Sequence, residues 1–183
     1  VAFASTNRTK VLSLNGHDVT VGGLTTGPIV GNSIVRNGAS GAAALTVSNS
    51  IDGVFAGVLE NGSDGILSLV KRGAGVLTLA GVNTYTGATT VADGTLIVNG
   101  THMGATLGEY GVGDGGTLGG TGVIGAAVKV LAGGAIAPGG LNGALTISNT
   151  VDLDGVLQID LSNAGGSQGL SDMLRVDGLF DMT

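Results

Sequence analysis

Few side chains in this sequence have the type and spacing that catalysis needs. Residues 165–169 read Gly-Gly-Ser-Gln-Gly, which fits the Gly-x-Ser-x-Gly pattern of a serine nucleophile at a sharp strand-to-helix turn. Such a serine also needs a histidine as general base and an acid that orients the histidine. The chain has two histidines, His17 and His102, and the glycines around Ser167 indicate a loop. We therefore expect no catalytic serine and no enzyme activity.

Two glycine motifs match the pattern that binds dinucleotides. Residues 111–116 and 120–125 both fit Gly-x-Gly-x-x-Gly. That motif works only where it opens a helix, because the helix N-terminus binds the pyrophosphate. No segment has apolar residues at helical spacing, free of glycine, over three turns. In a chain with 37 glycines we regard both matches as chance, and we expect no cofactor.

Calcium is the metal for which the sequence offers a pattern. Residues 113–116 read Gly-Asp-Gly-Gly, which is similar to part of the glycine and aspartate repeats that bind calcium in some β-helices. The nine-residue unit of those repeats does not recur here in tandem. We therefore expect no metal site.

Three aspartates, Asp152, Asp154 and Asp160, occupy alternate positions of one predicted strand region. Carboxylates on one face could act on a glycan, since glycoside hydrolysis uses a pair of them. A strand with one buried face has polar residues at every second position in any case. We favour a solvated outer face with the intervening aliphatic residues inward, and a glycan-active site is the less favoured alternative.

Composition limits both partners and fold. Seven Lys and Arg against thirteen Asp and Glu give a net charge of −6, and no aromatic residues accompany the basic ones, so we expect no nucleic-acid binding. The absence of cysteine excludes disulfides and thiolate sites. Hydrophobic residues make up 43% and aromatic residues 3%, which favours a narrow interior of small aliphatic side chains.

One strand-sized unit recurs along the chain. Gly-Val-Leu-Thr-Leu at residues 75–79 has counterparts at residues 65–69, 94–98, 143–147 and 155–159. Other segments alternate apolar and polar residues in the same way, which predicts strands with one buried face. Repetition of one strand unit indicates a solenoid with coils of about 20 residues and essentially no helix.

The turns leave room for a second interpretation. Asn-Gly and Asp-Gly pairs separate the predicted strands, and Asn-Gly is the strongest short signal for an antiparallel hairpin. Repetition outweighs that signal, and we expect parallel coils. Asparagines at the bends could then stack on one another, and Asn83, Asn99 and Asn142 are the candidates for such ladders.

Residues 71–100 read KRGAGVLTLAGVNTYTGATTVADGTLIVNG. This segment closely resembles the passenger-associated transport repeat of bacterial autotransporters, whose pattern is K-x-G-x-G-x-L-x-L-x-G-x-N-x-Y-x-G-x-T-x-V-x-x-G-x-L. Residues 101–104 fit no position of the repeat, although the likeness covers about residues 67–178. The residues that match the pattern are Lys71, Gly73, Gly75, Leu77, Leu79, Gly81, Asn83, Tyr85, Gly87, Thr89, Val91, Gly94 and Leu96.

The resemblance implies an all-β, right-handed parallel β-helix on the surface of a Gram-negative bacterium. We expect residues 1–183 to be one β-helix fragment of a larger passenger. Within it, residues 69–100 would be the transport repeat, and residues 101–183 would be C-terminal coils that assist folding. The implied partner is a C-terminal outer-membrane β-barrel of the same polypeptide, which lies outside this sequence and anchors the passenger.

The implied function is that of a structural stalk that promotes transport and folding by type V secretion and serves an adhesin or virulence factor. Two alternatives stay open. The segment could itself be an adhesin that binds a host surface or another copy of itself, or it could be the glycan-active β-helix considered above.

Overall fold

The computed structural model describes residues 1–3, 8–27, 32–103, 108–139, 143–159, 161–162 and 170–182. These residues form short β-strands joined by tight turns, and they contain no helix. Accordingly, no helix among them is long and apolar enough to cross a membrane.

The strands of the described residues are numbered in chain order. The first thirteen are β1 (Ala2–Phe3), β2 (Lys10–Ser13), β3 (Val19–Val21), β4 (Thr25–Thr26), β5 (Ser33–Arg36), β6 (Gly41–Ser48), β7 (Gly53–Phe55), β8 (Val58–Glu60), β9 (Gly65–Arg72), β10 (Val76–Leu79), β11 (Val82–Asn83), β12 (Thr89–Val91) and β13 (Gly94–Val98). The remainder are β14 (Thr101–His102), β15 (Tyr110–Val112), β16 (Gly116–Gly120), β17 (Val123–Ile124), β18 (Val128–Val130), β19 (Ala135–Pro138), β20 (Ala144–Ile147), β21 (Val151–Leu153), β22 (Val156–Leu157), β23 (Leu161–Ser162), β24 (Leu170–Ser171), β25 (Met173–Val176) and β26 (Phe180–Met182).

Successive strands visit three faces in turn, and this order makes the chain a β-solenoid. The first face carries the pair β1-β4 and the six-stranded sheet β7-β10-β13-β16-β19-β22. The second face carries the sheets β2-β5-β8 and β11-β14-β17-β20-β25, and the third carries the eight-stranded sheet from β3 to β26. Pairing within all these sheets is parallel, as the sequence predicts. The right-handed sense stays a prediction.

The hairpin signal of the Asn-Gly pairs does not govern the fold. The one antiparallel strand pair of the described residues is β23-β24, near the C-terminus. The Asn-Gly pairs of the described residues instead form bends between faces, and at one of them Asn15 takes a φ of 51° and Gly16 a φ of 80°. A left-handed bend of this kind lets the chain turn within two residues.

The five copies of the strand unit do not lie on one face. Residues 76–79, 94–98 and 156–157 belong to the first face, residues 65–69 to the third and residues 144–147 to the second. The unit therefore suits any strand that has one buried side, and it does not mark a particular face of the solenoid. Residues 53–60 form two strands, β7 and β8, because the chain turns a corner at Gly57.

The interior consists of columns of aliphatic side chains, one from each coil. On the first face Leu77, Leu96, Leu118 and Ile136 pair in register, and all four are fully buried. Burying one such side chain contributes about 1.5–3 kcal/mol. The narrow cross-section explains why small aliphatic residues suffice for a core with few aromatic ones.

Candidate functional site

The residues of the repeat pattern form the interior of one continuous stretch of coil. From Lys71 to Val91 the pattern occupies odd-numbered positions, and these side chains point inward. The alternation shifts by one residue at Ala92 and Asp93, after which Gly94 and Leu96 continue it. All thirteen residues are buried except Gly73, Gly81 and Gly94, which are half-buried. The pattern is therefore a description of an inner surface.

The glycines of the pattern lie where one coil touches the backbone of the coil before it. A Cβ atom on Gly81 would lie 2.0 Å from the carbonyl oxygen of Gly57, and one on Gly87 would lie 2.3 Å from that of Leu67. Real Cβ atoms essentially never approach closer than 3.0 Å. These positions require glycine because no side chain fits between stacked coils.

The same close approach continues beyond the repeat. A Cβ atom on Gly100 would lie 2.0 Å from the oxygen of Gly81, and one on Gly122 would lie 2.1 Å from that of Gly100. Gly57, Gly81, Gly100 and Gly122 thus form a column at one corner of the solenoid. We call this column the glycine corner.

Lys71 is fully buried, although it belongs to a column of valines. Its register partners on the third face are Val47 and Val91. The ammonium Nζ donates to the carbonyl oxygens of Arg72 at 2.9 Å, Gly73 at 2.6 Å and Asp93 at 3.1 Å, so each of its three N–H groups has an acceptor. The side chain therefore joins the end of one coil to the end of the next.

Burial lowers the pKa of Lys71, while the nearby charges of Asp93 and Asp52 act in the opposite direction. A lysine with a lowered pKa in a cleft would be a candidate nucleophile. Here the side chain has no exposed surface and its nitrogen is held by backbone carbonyls. The arrangement is suited to closing a bend rather than to attacking a substrate.

Asn83, Tyr85 and Thr89 bring polar atoms into the interior and satisfy them there. Asn83 Oδ1 accepts a hydrogen bond from the backbone N–H of Leu59 at 3.0 Å, one coil earlier. The hydroxyls of Tyr85 and Thr89 lie 2.6 Å apart, within hydrogen-bond distance. All three residues are at most 1% exposed. Paired in this way, they fix how the coil folds back on its neighbour.

The expected asparagine ladders are wrong for the two candidates that the structure describes. Asn83 pairs in register with His102, not with another asparagine. Asn99 Oδ1 instead accepts from the backbone N–H of Thr121 at 3.1 Å. Asn142 lies outside the described residues. The backbone N–H groups at the bends need acceptors. Each asparagine side chain accepts a hydrogen bond from one of them instead of stacking on a second asparagine.

Sequence reasoning missed His102, because residues 101–104 fit no position of the repeat. The imidazole is fully buried and stacks on the ring of Tyr85 with centroids 4.0 Å apart. Its Nδ1 lies 2.7 Å from the hydroxyl of Tyr110, and its Nε2 lies 2.8 Å from the carbonyl oxygen of Tyr85. The alternation of inward and outward positions, continued into the strand after the repeat, is the signal that could have identified His102 as an inward residue.

The aromatic residues do not form an exposed platform. Tyr85 and Tyr110, which are far apart in sequence, are joined through His102 inside the core. Phe3 and Phe55 also pack together, with centroids 5.7 Å apart, and both are buried. A sugar would find none of these four rings at the surface.

The other residues considered for chemistry are separated or outside the described part. Asp152 forms an ion pair with Lys129 on the outer side of the third face, and Asp154 is exposed. Residues 163–169, with the Gly-x-Ser-x-Gly match, and Asp160 lie outside the described residues. Within the described ranges no cluster of three His, Cys, Asp or Glu could hold a metal ion.

Comparison with known proteins identifies one segment. Residues 69–98 match the family model of the passenger-associated-transport-repeat. No curated protein and no solved structure matches the chain. The matched segment is the stretch of inward-facing residues described above, and together with the β-solenoid it fits an autotransporter passenger domain.

Proposed function

We propose that this chain is a structural stalk of an autotransporter passenger and that residues 69–98 promote its transport and folding. The observation that carries the proposal is the repeat match on a coil in which the pattern positions lie in the interior. A segment whose specific residues face inward acts through its own structure and not through a surface site.

The geometry suggests how such a segment promotes folding. Each coil of a solenoid offers a row of backbone groups to the next coil, so a formed coil is a template for its successor. A first coil lacks that template and is the costly step. Lys71, Asn83 and the Tyr85–Thr89 pair add hydrogen bonds within and between coils at this place. Residues 69–98 are therefore a suitable nucleus.

The proposed location is the bacterial cell surface or the medium outside it. The proposed partner is an outer-membrane β-barrel of the same polypeptide. A chain without cysteine and with small side chains suits passage through a narrow pore in the unfolded state. An adhesin or virulence role of the whole passenger belongs to the same proposal.

Deletion of one coil in register tests the transport role. Val76 pairs with Thr95, so removal of residues 76–94 from the full protein deletes one coil within the repeat. Gly41 pairs with Gly65, so removal of residues 41–64 deletes one coil outside it and serves as the control. We expect surface display to fall sharply only in the first deletion. Equal display of the two variants would contradict the proposal.

Binding is the second candidate function, and one observation favours it. On the outer side of the second face Val11 pairs with Ile34 and Ile34 with Val58, and Val82 follows on β11. Val11 is 44% and Val82 60% exposed. Scattered apolar residues at a surface are ordinary, whereas a stripe of them is typical of contact surfaces. The partner would be a host surface or a second copy of the chain.

The stripe can be tested on the 183-residue chain itself. Sedimentation and binding to matrix proteins would be compared between the native chain and the double variant Val58→Thr, Val82→Thr. Thr keeps the β-branched shape that suits a strand, so the fold should persist. Loss of association in the variant would support a binding role, and unchanged association would remove the stripe as its basis.

A further inference from the structure

His102 occupies a position at which later coils carry an aliphatic residue. Its column on the second face runs from Asn83 through His102 to Ile124 and Ile147. Both isoleucines are fully buried, as is the imidazole. The coil that follows the repeat thus has a titratable imidazole where the later coils have isoleucine, and water does not reach this position.

The contacts of the imidazole determine its tautomer. The carbonyl oxygen of Tyr85 can only accept, so Nε2 carries the hydrogen and donates it. Nδ1 then accepts from the hydroxyl of Tyr110. The neutral ring has both nitrogens satisfied and joins residues that lie 17 positions before it and 8 positions after it. It therefore links the repeat to the coil that follows.

Protonation would disrupt this arrangement. A proton on Nδ1 removes the acceptor of the Tyr110 hydroxyl, which must reverse its hydrogen bond and direct its hydrogen toward Tyr85. Among the described residues no charged group acts on the ring, so none balances the new cation. The described groups next to the ring are Tyr85, which follows β11, and Tyr110 on β15, and its register partners are Asn83 on β11 and Ile124 on β17. Thr89 on β12 contacts Tyr85 in turn.

The titratable groups among these neighbours are two tyrosines, and both stay neutral. Burial raises the pKa of Tyr85 to about 12 and that of Tyr110 well above its ordinary value. Burial also lowers the pKa of His102, with only the carbonyl of Tyr85 acting against it. A buried cation without a partner is strongly disfavoured.

We propose that His102 is an acid-sensitive lock, which holds the repeat to the following coil while the imidazole is neutral and releases it when the imidazole is protonated. The lock would regulate the folding role proposed above. Its biological meaning rests on that proposed role, whereas the pH effect itself does not. In neutral surroundings the lock closes as the coil forms. In acid surroundings the two coils separate more readily.

The direction of the pH effect follows from proton linkage. The unfolded chain binds a proton at the ordinary pKa of 6.5, whereas the folded chain binds it only at a lower pH. The stabilisation is therefore complete above about pH 6.5 and is lost as the pH falls toward the folded pKa. Each pH unit in that window changes the folding equilibrium up to about tenfold for one proton.

The test compares three forms of the 183-residue chain by denaturant unfolding at pH 6.5 and pH 5.5. They are the native chain, His102→Ile and the control His17→Asn, which changes an exposed histidine. We expect the folding equilibrium of the native chain and of the control to fall up to about fivefold more than that of His102→Ile, because half of the unfolded chains already carry the proton at pH 6.5. The carboxylates are common to all three forms, so their effect cancels. Equal pH dependence in all three would overturn the proposal.

A second measurement covers the case in which His102→Ile does not fold. Nitrogen NMR of the native chain distinguishes the two imidazole tautomers and follows protonation directly. We expect the Nε2–H tautomer and a midpoint of protonation below pH 6.5. Titration of His102 at or above pH 6.5 would overturn the lock. The transport role would stand or fall separately with the deletion of residues 76–94.

Discussion

Gly100 stacks on Gly81 so closely that a Cβ atom on Gly100 would lie 2.0 Å from the Gly81 carbonyl oxygen. Both glycines belong to the glycine corner, where consecutive coils turn above one another. The contact joins the last coil of the repeat to the next, and the atoms nearest to that Cβ position are backbone atoms of Ala80 and Gly81. Glycine at this corner allows the backbones of consecutive coils to lie in direct contact.

The glycine corner predicts the effect of a single methyl group. Gly100→Ala should destabilise the fold by about 1–3 kcal/mol or more, because the new Cβ meets backbone and not a flexible side chain. Gly111→Ala is the matched control, since a Cβ there meets nothing within 4 Å. Denaturant unfolding at one pH measures both. A loss in Gly111→Ala as large as in Gly100→Ala would contradict the steric explanation.

Replacement of the buried Lys71 should also lower the stability of the fold. Lys71→Met keeps much of the buried stem but leaves the carbonyls of Arg72, Gly73 and Asp93 without their donor. Each unsatisfied buried group costs about 1–3 kcal/mol, so we expect a total of several kcal/mol. Lys129→Met is the control, because the Lys129–Asp152 pair is partly exposed and exposed ion pairs contribute little to stability. Similar unfolding midpoints for the two variants would show that Lys71 does not close the bend.

The buried tyrosines predict instability in alkali. Tyr85 ionises at about pH 12 in the folded chain against 10.0 in the unfolded chain, and Tyr110 is shifted in the same direction. The folded state then holds more protons, so stability present below pH 10.0 is lost as the pH rises toward 12. Lys71 acts in the opposite direction, since burial lowers its pKa.

Tyrosinate absorbance during an alkaline titration checks this directly. We expect both tyrosines to ionise together with unfolding, as one cooperative step. Tyr85→Phe should reduce the loss of stability between pH 10 and 12, although it also removes the hydrogen bond to Thr89. Gradual ionisation of both tyrosines near pH 10 in the folded chain would contradict their burial.

Much of the interior was predictable from the repeat pattern. Its Lys, Leu, Asn, Tyr, Thr and Val positions all prove to be buried, because alternation with a period of two assigns every second residue to one side. The identity of their partners was not predictable. Asn83 reaches Leu59 and Lys71 reaches Asp93, and both contacts depend on the register between coils. Register follows from coil lengths, which vary along this chain.

The strand unit illustrates the same limit. Its copies were sufficient to predict a solenoid, but they lie on all three faces and are not equivalent positions of one repeat. The Asn-Gly pairs favoured hairpins locally, yet pairing is parallel because each strand gains more by lying on the like strand of the next coil. The residues of the turns limit where the chain can bend, and packing between coils decides whether the next strand pairs in a parallel or an antiparallel way.

By itself the sequence determined the class of fold and the inward side of each strand of the repeat, since alternation and composition are local properties. Only the tertiary structure decided that His102 meets Tyr85 and Tyr110 and that glycines stack at one corner. The glycine contacts and the contact of His102 with Tyr85 join neighbouring coils, and their formation depends on how many residues each coil takes to return to the same face.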